Sequence, residues 1–143
     1  MLFGILNAAV ISTLFLSNTA NALDANALPT GYNAVSGSVN FNQNQNTLNV
    51  NAATNQSIVN YQSFNVGRQA TVNFNLPGSS SSILNRVVGG NLSEIYGTMN
   101  SNGRVFLVNP AGLFFGNGAN INFGGLVSST LNIANENFLK GSY

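Results

Sequence analysis

An all-β fold made of many short strands is the architecture that this chain of 143 residues predicts. Three observations point to it. Apolar and polar residues alternate with period two in one segment after another, and clusters of Gly, Asn and Ser interrupt them at intervals of roughly eight to ten residues. The helix formers Glu, Lys and Arg are nearly absent. Asn makes up roughly a fifth of the chain and Gly contributes 15 residues. Both suit turns, because they tolerate positive φ and the Asn side chain can imitate a backbone turn.

The first segment departs from this pattern. Leu2 to Leu16 is an apolar run of 15 residues, within the length of a signal-peptide core and short of the roughly 20 needed to cross a bilayer. Two small-x-small sites follow it, Ala20-Asn21-Ala22 and Ala25-Asn26-Ala27. Residues 1–27 are therefore read as a signal peptide cut after Ala22 or Ala27, with a buried N-terminal helix as the alternative. No Lys or Arg precedes the apolar run, so the amino terminus supplies its positive charge.

Strands follow from Gly31 onward. Val39-Asn40-Phe41, Leu48-Asn49-Val50, Val59-Asn60-Tyr61 and Val72 to Leu76 alternate, which implies strands packed on one face with Asn on the wet face. Asn40 to Asn46, NFNQNQN, reads as strand and turn, since the alternation continues on both sides. Pro77-Gly78 and the serines after it form a loop. Beyond it the apolar runs lengthen through Ile83-Leu84, Val87-Val88, Val105 to Val108, Leu113 to Phe115 and Leu126-Val127, separated by Gly- and Asn-rich breaks.

A longer spacing underlies these strands. Ile95, Leu113 and Leu131 lie 18 apart, as do Val87, Val105 and Phe123, a step that suits one coil of a β-solenoid. A sandwich of antiparallel hairpins accounts for the alternation equally well. Scarcity of charge favours the solenoid: stacked parallel coils place like residues over like, which repels charges but allows ladders of Asn and of apolar side chains.

Only 5% of the residues are charged, against about a quarter in ordinary globular chains, and the net charge is +1. Nothing here attracts nucleic acid. There is no Cys and no His, so neither disulfides nor thiolate zinc sites arise, and the commonest general base is missing. Of the three carboxylates, Asp24 lies beside the cleavage sites, which leaves Glu94 and Glu136, 42 residues apart. No carboxylate pair or metal cluster is expected, hence no enzyme, no cofactor and no metal. Gly116-Asn117-Gly118 opens a dinucleotide-like pattern that Ile121 breaks. Arg86 and Glu94 are expected to form a surface ion pair or a cap. In Asn109-Pro110-Ala111-Gly112 the Pro presets φ and the Asn and Gly favour reversal, so this is a corner joining two buried strands.

Four blocks carry a resemblance: Ile83-Leu84-Asn85-Arg86-Val87, Gly90 to Gly97 (GNLSEIYG), Asn102 to Gly112 (NGRVFLVNPAG) and Gly125 to Leu131 (GLVSSTL). In order and spacing, from about Leu28 to Tyr143, they resemble the filamentous haemagglutinin N-terminal domain, the secretion (TPS) domain of two-partner secretion exoproteins in Gram-negative bacteria. The resemblance implies a right-handed parallel β-helix with an N-terminal cap. It also implies a role as a secretion address: after Sec export, the POTRA domains of an outer-membrane TpsB-type barrel transporter recognise the domain in the periplasm and pass the exoprotein to the cell surface, where its coils fold.

The family's NPNG turn corresponds to Asn109, Pro110 and Gly112, with Ala111 in place of the second Asn. Its NPNL motif has no counterpart before Ile83, where the sequence reads VNFNLPGSSSS, as in the large-adhesin branch. Asn85, Arg86, Val87, Glu94, Gly97, Gly103 and Gly125 are the other family-motif positions, and their roles are expected to be structural. In the family the domain continues for further coils after the segment that Asn135 to Tyr143 resembles. Residues 28–143 are accordingly expected to be its front part, with any host-surface ligand bound by downstream regions; the alternative is a surface β-helix that itself binds or cleaves carbohydrate.

Overall fold

The computed structural model describes residues 22–143. The apolar core of the expected signal peptide, Leu2 to Leu16, lies outside the described residues. Strands β1 (Asn33–Ser36), β2 (Val39–Asn44), β3 (Thr47–Ala52), β4 (Gln56–Tyr61), β5 (Thr71–Asn75), β6 (Ser82–Val87), β7 (Ser93–Ile95), β8 (Thr98–Ser101), β9 (Arg104–Val108), β10 (Leu113–Phe115), β11 (Asn120–Asn122) and β12 (Gly125–Ser129) are followed by a short helix α1 (Asn135–Leu139). They wind into a β-solenoid of about 4 turns. One wall is the sheet β1-β4-β6-β9-β12, the opposite wall is β11-β8-β5-β3-β2, and a third, narrow wall pairs β10 with β7.

Within the body every pairing is parallel, and the antiparallel pairs β1·β4 and β2·β3 close the first coil. The sandwich alternative thus survives only as this N-terminal cap. The fold is a parallel solenoid because successive coils place apolar side chains in register. Val72 sits beside Leu48, Met99 beside Val72 and Ile121 beside Met99. On the other wall Ile83 sits beside Ser57, Val105 beside Ile83 and Leu126 beside Val105.

The 18-residue spacing is not the coil. Those partners lie 21 to 27 residues apart, and Ile95 is paired with Phe115, Leu113 with Ser93. The corners differ in length from coil to coil, so a constant period in the sequence does not mark stacked positions.

Leu48, Val50, Val59, Tyr61, Val72, Phe74, Ile83, Met99, Val105 and Leu107 fill the interior and are essentially inaccessible. Phe64 meets Tyr61 edge-on at 5.0 Å and stacks on Phe74 at 6.5 Å. On the solvent side of β3, β5, β8 and β11, Asn122 donates to Asn100 at 2.9 Å, Asn100 to Asn73 at 2.9 Å and Asn73 to Asn49 at 2.9 Å. A second, shorter ladder runs from Asn75 through Asn51 to Asn40. The inner rungs Asn100, Asn73 and Asn51 each donate to one neighbouring strand and accept from the other, so polar stacking proceeds without net charge.

The middle strands of the first wall, β4, β6 and β9, are covered on both faces. Ile58, Leu84 and Phe106 form an outward column along β4, β6 and β9, and with Val108 they are covered by Phe138 of α1. Phe138 meets Phe106 edge-on at 5.3 Å and its carbonyl accepts from Gln56 Nε2 at 3.3 Å. By contrast β10 is not the buried strand expected after the corner: Phe114 is 48% and Phe115 37% exposed, and among the described residues no strand lies beyond β10, β11 or β12.

Candidate functional site

The family-motif residues do not form one cluster, but two groups of them meet. Asn85 and Val87 point into the solenoid from β6, and Arg86 between them points outward. Asn85 is wholly buried, accepts from the Tyr61 hydroxyl at 2.8 Å and donates to the Phe106 carbonyl at 3.2 Å. Burial, with a smaller contribution from Tyr32, pushes the Tyr61 phenol far above its ordinary pKa and keeps it a donor.

Arg86 forms no pair with Glu94. Its guanidinium donates to the Asn132 side chain at 2.7 Å, the Ile133 carbonyl at 2.6 Å, the Asn135 side chain at 2.8 Å and the Asn60 side chain at 3.2 Å. Desolvation lowers its pKa. The expected ion pair gives way because a planar fork of donors fits several amide oxygens at once. Arg86 thereby fastens the segment before α1 to β6. Replacing it with Met is expected to cost about 1–2 kcal/mol and to raise amide exchange over residues 130–143, while the exchange of β6 stays low. Unchanged protection of that segment would count against the strap.

The corner after β9 is built mainly by Asn109. Its side chain is fully buried, donating to the Asn91 carbonyl at 2.8 Å and Ser93 Oγ at 2.9 Å and accepting from the Ala111 N–H at 2.9 Å. The Gly112 N–H closes the turn on the Asn109 carbonyl at 3.0 Å, and the Gly112 carbonyl accepts from the Ser93 N–H at 3.0 Å. Gly112 has φ +118°, a conformation open to glycine. Pro110 and Ala111 stand at the exposed tip. The turn therefore forms without a second Asn: the backbone N–H of Ala111 makes the inward bond and its methyl group faces outward.

A shallow groove of about 270 Å³ joins the two groups, lined by Arg86, Val87, Asn109, Pro110, Ala111 and Asn132 among others. Val88, nearly half exposed, also lines it. Asn91 and Ser93 fall within the Gly90–Gly97 block without being marked as partners of the corner, and nothing local marks Asn132 among so many Asn residues.

The remaining motif residues stand elsewhere. Glu94 lies on β7 opposite Phe114, and its N–H donates to Asn65 Oδ1 at 2.9 Å. Gly97 sits where a Cβ would come within 2.1 Å of the Gly67 carbonyl oxygen and 2.4 Å of that of Ala70, so only a residue without a side chain lets the coils close. Gly103 is similarly tight against Leu76 and the Ser81 carbonyl, whereas Gly125, beside Arg104, has ordinary room. Glu136 occupies the first turn of α1, and Asp24 accepts from the Asn26 N–H in its own turn.

Parallel coils, a capped beginning and ladders of neutral amides define this chain as a β-helical repeat protein, with its motif residues serving corners and straps. Within that class the chain belongs to the TPS secretion domain family, whose description matches residues 12–143. It is similar to two heme/hemopexin-binding proteins of Haemophilus influenzae. The one from strain Rd is 37% identical over 123 residues, which is 85% of this chain and 14% of that protein. The other is 30% identical over 137 residues, 94% of this chain and 15% of that protein. The chain thus spans about a seventh of the length of these relatives. The crystal structure of the HMW1 secretion domain from Haemophilus influenzae superposes with a TM-score of 0.76 at 33% identity, over 79% of this chain and 30% of that one. The family is one of secretion domains of adhesin-like exoproteins, not of enzymes, and its members are secreted by Gram-negative bacteria.

Proposed function

We propose that this domain is the export address of a two-partner exoprotein. After Sec-dependent passage to the periplasm, the POTRA domains of a TpsB-type outer-membrane transporter read the groove between the Asn109–Gly112 corner and Arg86, and the first coils then seed folding of the exoprotein at the cell surface. The observation that carries this reading is the convergence of two family motifs, distant in sequence, on one exposed groove with a rigid corner. Binding of haem or haemopexin belongs, by their names, to relatives of which this domain matches 14–15%. Such ligand binding, like adhesion, is assigned to regions downstream.

Co-expression of the exoprotein with its transporter tests the address. Deleting residues 83–131 is expected to abolish surface delivery, and unchanged delivery would sink the idea. Asn109→Ala combined with Gly112→Val is expected to reduce secretion severalfold by undoing the corner. Asn109→Ala alone leaves the Asn91 carbonyl and the Ser93 hydroxyl without their donor, at about 2 kcal/mol. Ala111→Glu alters only the exposed tip, so a loss of secretion with unaltered thermal stability would locate recognition at this surface. Normal secretion of both variants would exclude it.

A further inference from the structure

We propose that the mature polypeptide begins at Leu23, so that residues 23–27 are the first corner of the folded domain and not the end of its signal peptide. The proposal rests on the export reading above.

Asp24 to Ala27 form a tight turn: the Ala27 N–H donates to the Asp24 carbonyl at 3.0 Å and the Asn26 N–H to the Asp24 carboxylate at 2.7 Å. This turn lies on the corner that precedes β5. There the Gly67 N–H donates to the Ala27 carbonyl at 2.9 Å and the Gln69 N–H to the Ala25 carbonyl at 2.8 Å. Gly67 is buried, and a Cβ on it would come within 2.4 Å of the carbonyl oxygens of both Asp24 and Ala25.

The same arrangement recurs one coil further on, where Gly97 packs under the Gly67 carbonyl and the Gly97 carbonyl accepts from the Asn120 N–H at 3.0 Å. Residues 24–27 are therefore one more storey in a column of corners. Buried backbone donors need acceptors, and a cut after Ala27 removes the one that serves buried Gly67, together with the one that serves exposed Gln69. It also leaves the missing side chain at Gly67 without a steric reason. A cut after Ala22 keeps the turn whole and uses Ala20 and Ala22 as the small residues that signal peptidase requires. The new amino terminus then opens at a cavity of about 260 Å³ that Leu23 shares with Arg68, Glu94 and Tyr96.

N-terminal sequencing of the exoprotein secreted with its transporter decides the matter, and Leu23 is the expected first residue. A terminus at Leu28 overturns the assignment and leaves export standing, whereas a product still beginning at Met1 overturns the signal-peptide reading itself. Ala22→Leu is expected to block the cut, and Ala27→Leu to leave it at Leu23. Processing lost only in Ala27→Leu reverses the proposal. Gly67→Ala gives an independent readout: it lowers the melting temperature of the secreted product by several degrees if Asp24 and Ala25 are retained, and leaves it unchanged if they have been removed.

Discussion

Phe138→Ala is expected to destabilise the domain by about 3–5 kcal/mol, the usual range for emptying a fully buried phenylalanine site. Phe138 is inaccessible to solvent although its helix is only five residues long. It covers Ile58, Leu84, Phe106 and Val108 on the outer face of the first wall. Without the ring, α1 is held only by the Arg86 hydrogen bonds at its start, the Gln56 bond to the Phe138 carbonyl and the Tyr143 ring against Phe106. Its N-cap residue, Ala134, makes no side-chain hydrogen bond, and a helix of this length is unstable by itself. The exposed column would then be an apolar stripe on a sheet, so loss of stability should be accompanied by dye binding and self-association. Urea denaturation with a parallel light-scattering measurement checks both. A cost below about 1 kcal/mol would mean that the helix merely rests on the sheet.

Asn85→Ala is expected to cost about 3–4 kcal/mol, because the substitution opens a cavity, leaves the buried Tyr61 hydroxyl without its acceptor and removes the side-chain bond to the Phe106 carbonyl. The hydroxyl has no route to water, since Tyr61 is fully buried. Asn85→Leu restores volume but not the acceptor, so it should recover only part of the loss. Pairing it with Tyr61→Phe removes the orphaned donor as well and should bring stability closer to that of the unaltered chain. Chemical denaturation of the four chains measures the coupling. Additive costs for Asn85→Leu and Tyr61→Phe would show that the hydrogen bond adds nothing. The position also explains a polar residue in an apolar interior: in stacked coils of similar composition, one buried hydrogen bond at a fixed height penalises a slip in register, the attested use of buried polar groups.

The second hydrophobic layer was legible in part. Alternation holds in β3 and β5, which face water on one side, and gives way to consecutive apolar residues in β4, β6 and β9. Such runs mean that both faces are covered. What covers the outer face could not be read from them, because NENFLK carries only two adjacent large apolar residues, Phe138 and Leu139, and no helix periodicity. The corner was legible as a turn from Asn109, Pro110 and Gly112, whose preferences are local. Its junction with Arg86 was not, because it depends on which coil lies beside which.

The same division runs through the whole molecule. Composition and period-two patterning determined that the chain makes strands, that the Asn residues of the alternating strands lie outward and that charge is nearly absent, since these follow from side-chain chemistry over a few residues. The ordered blocks determined the family. Tertiary structure alone decided the coil step, which corners of unequal length make irregular, and the partners of Arg86, which sit 46 to 49 residues away along the chain on β12's far side of the sequence and 26 residues away at Asn60. It also decided that Asp24 to Ala27 pack on Gly67. Contacts between coils join residues with no local relation, and only the wound chain brings them within hydrogen-bonding distance.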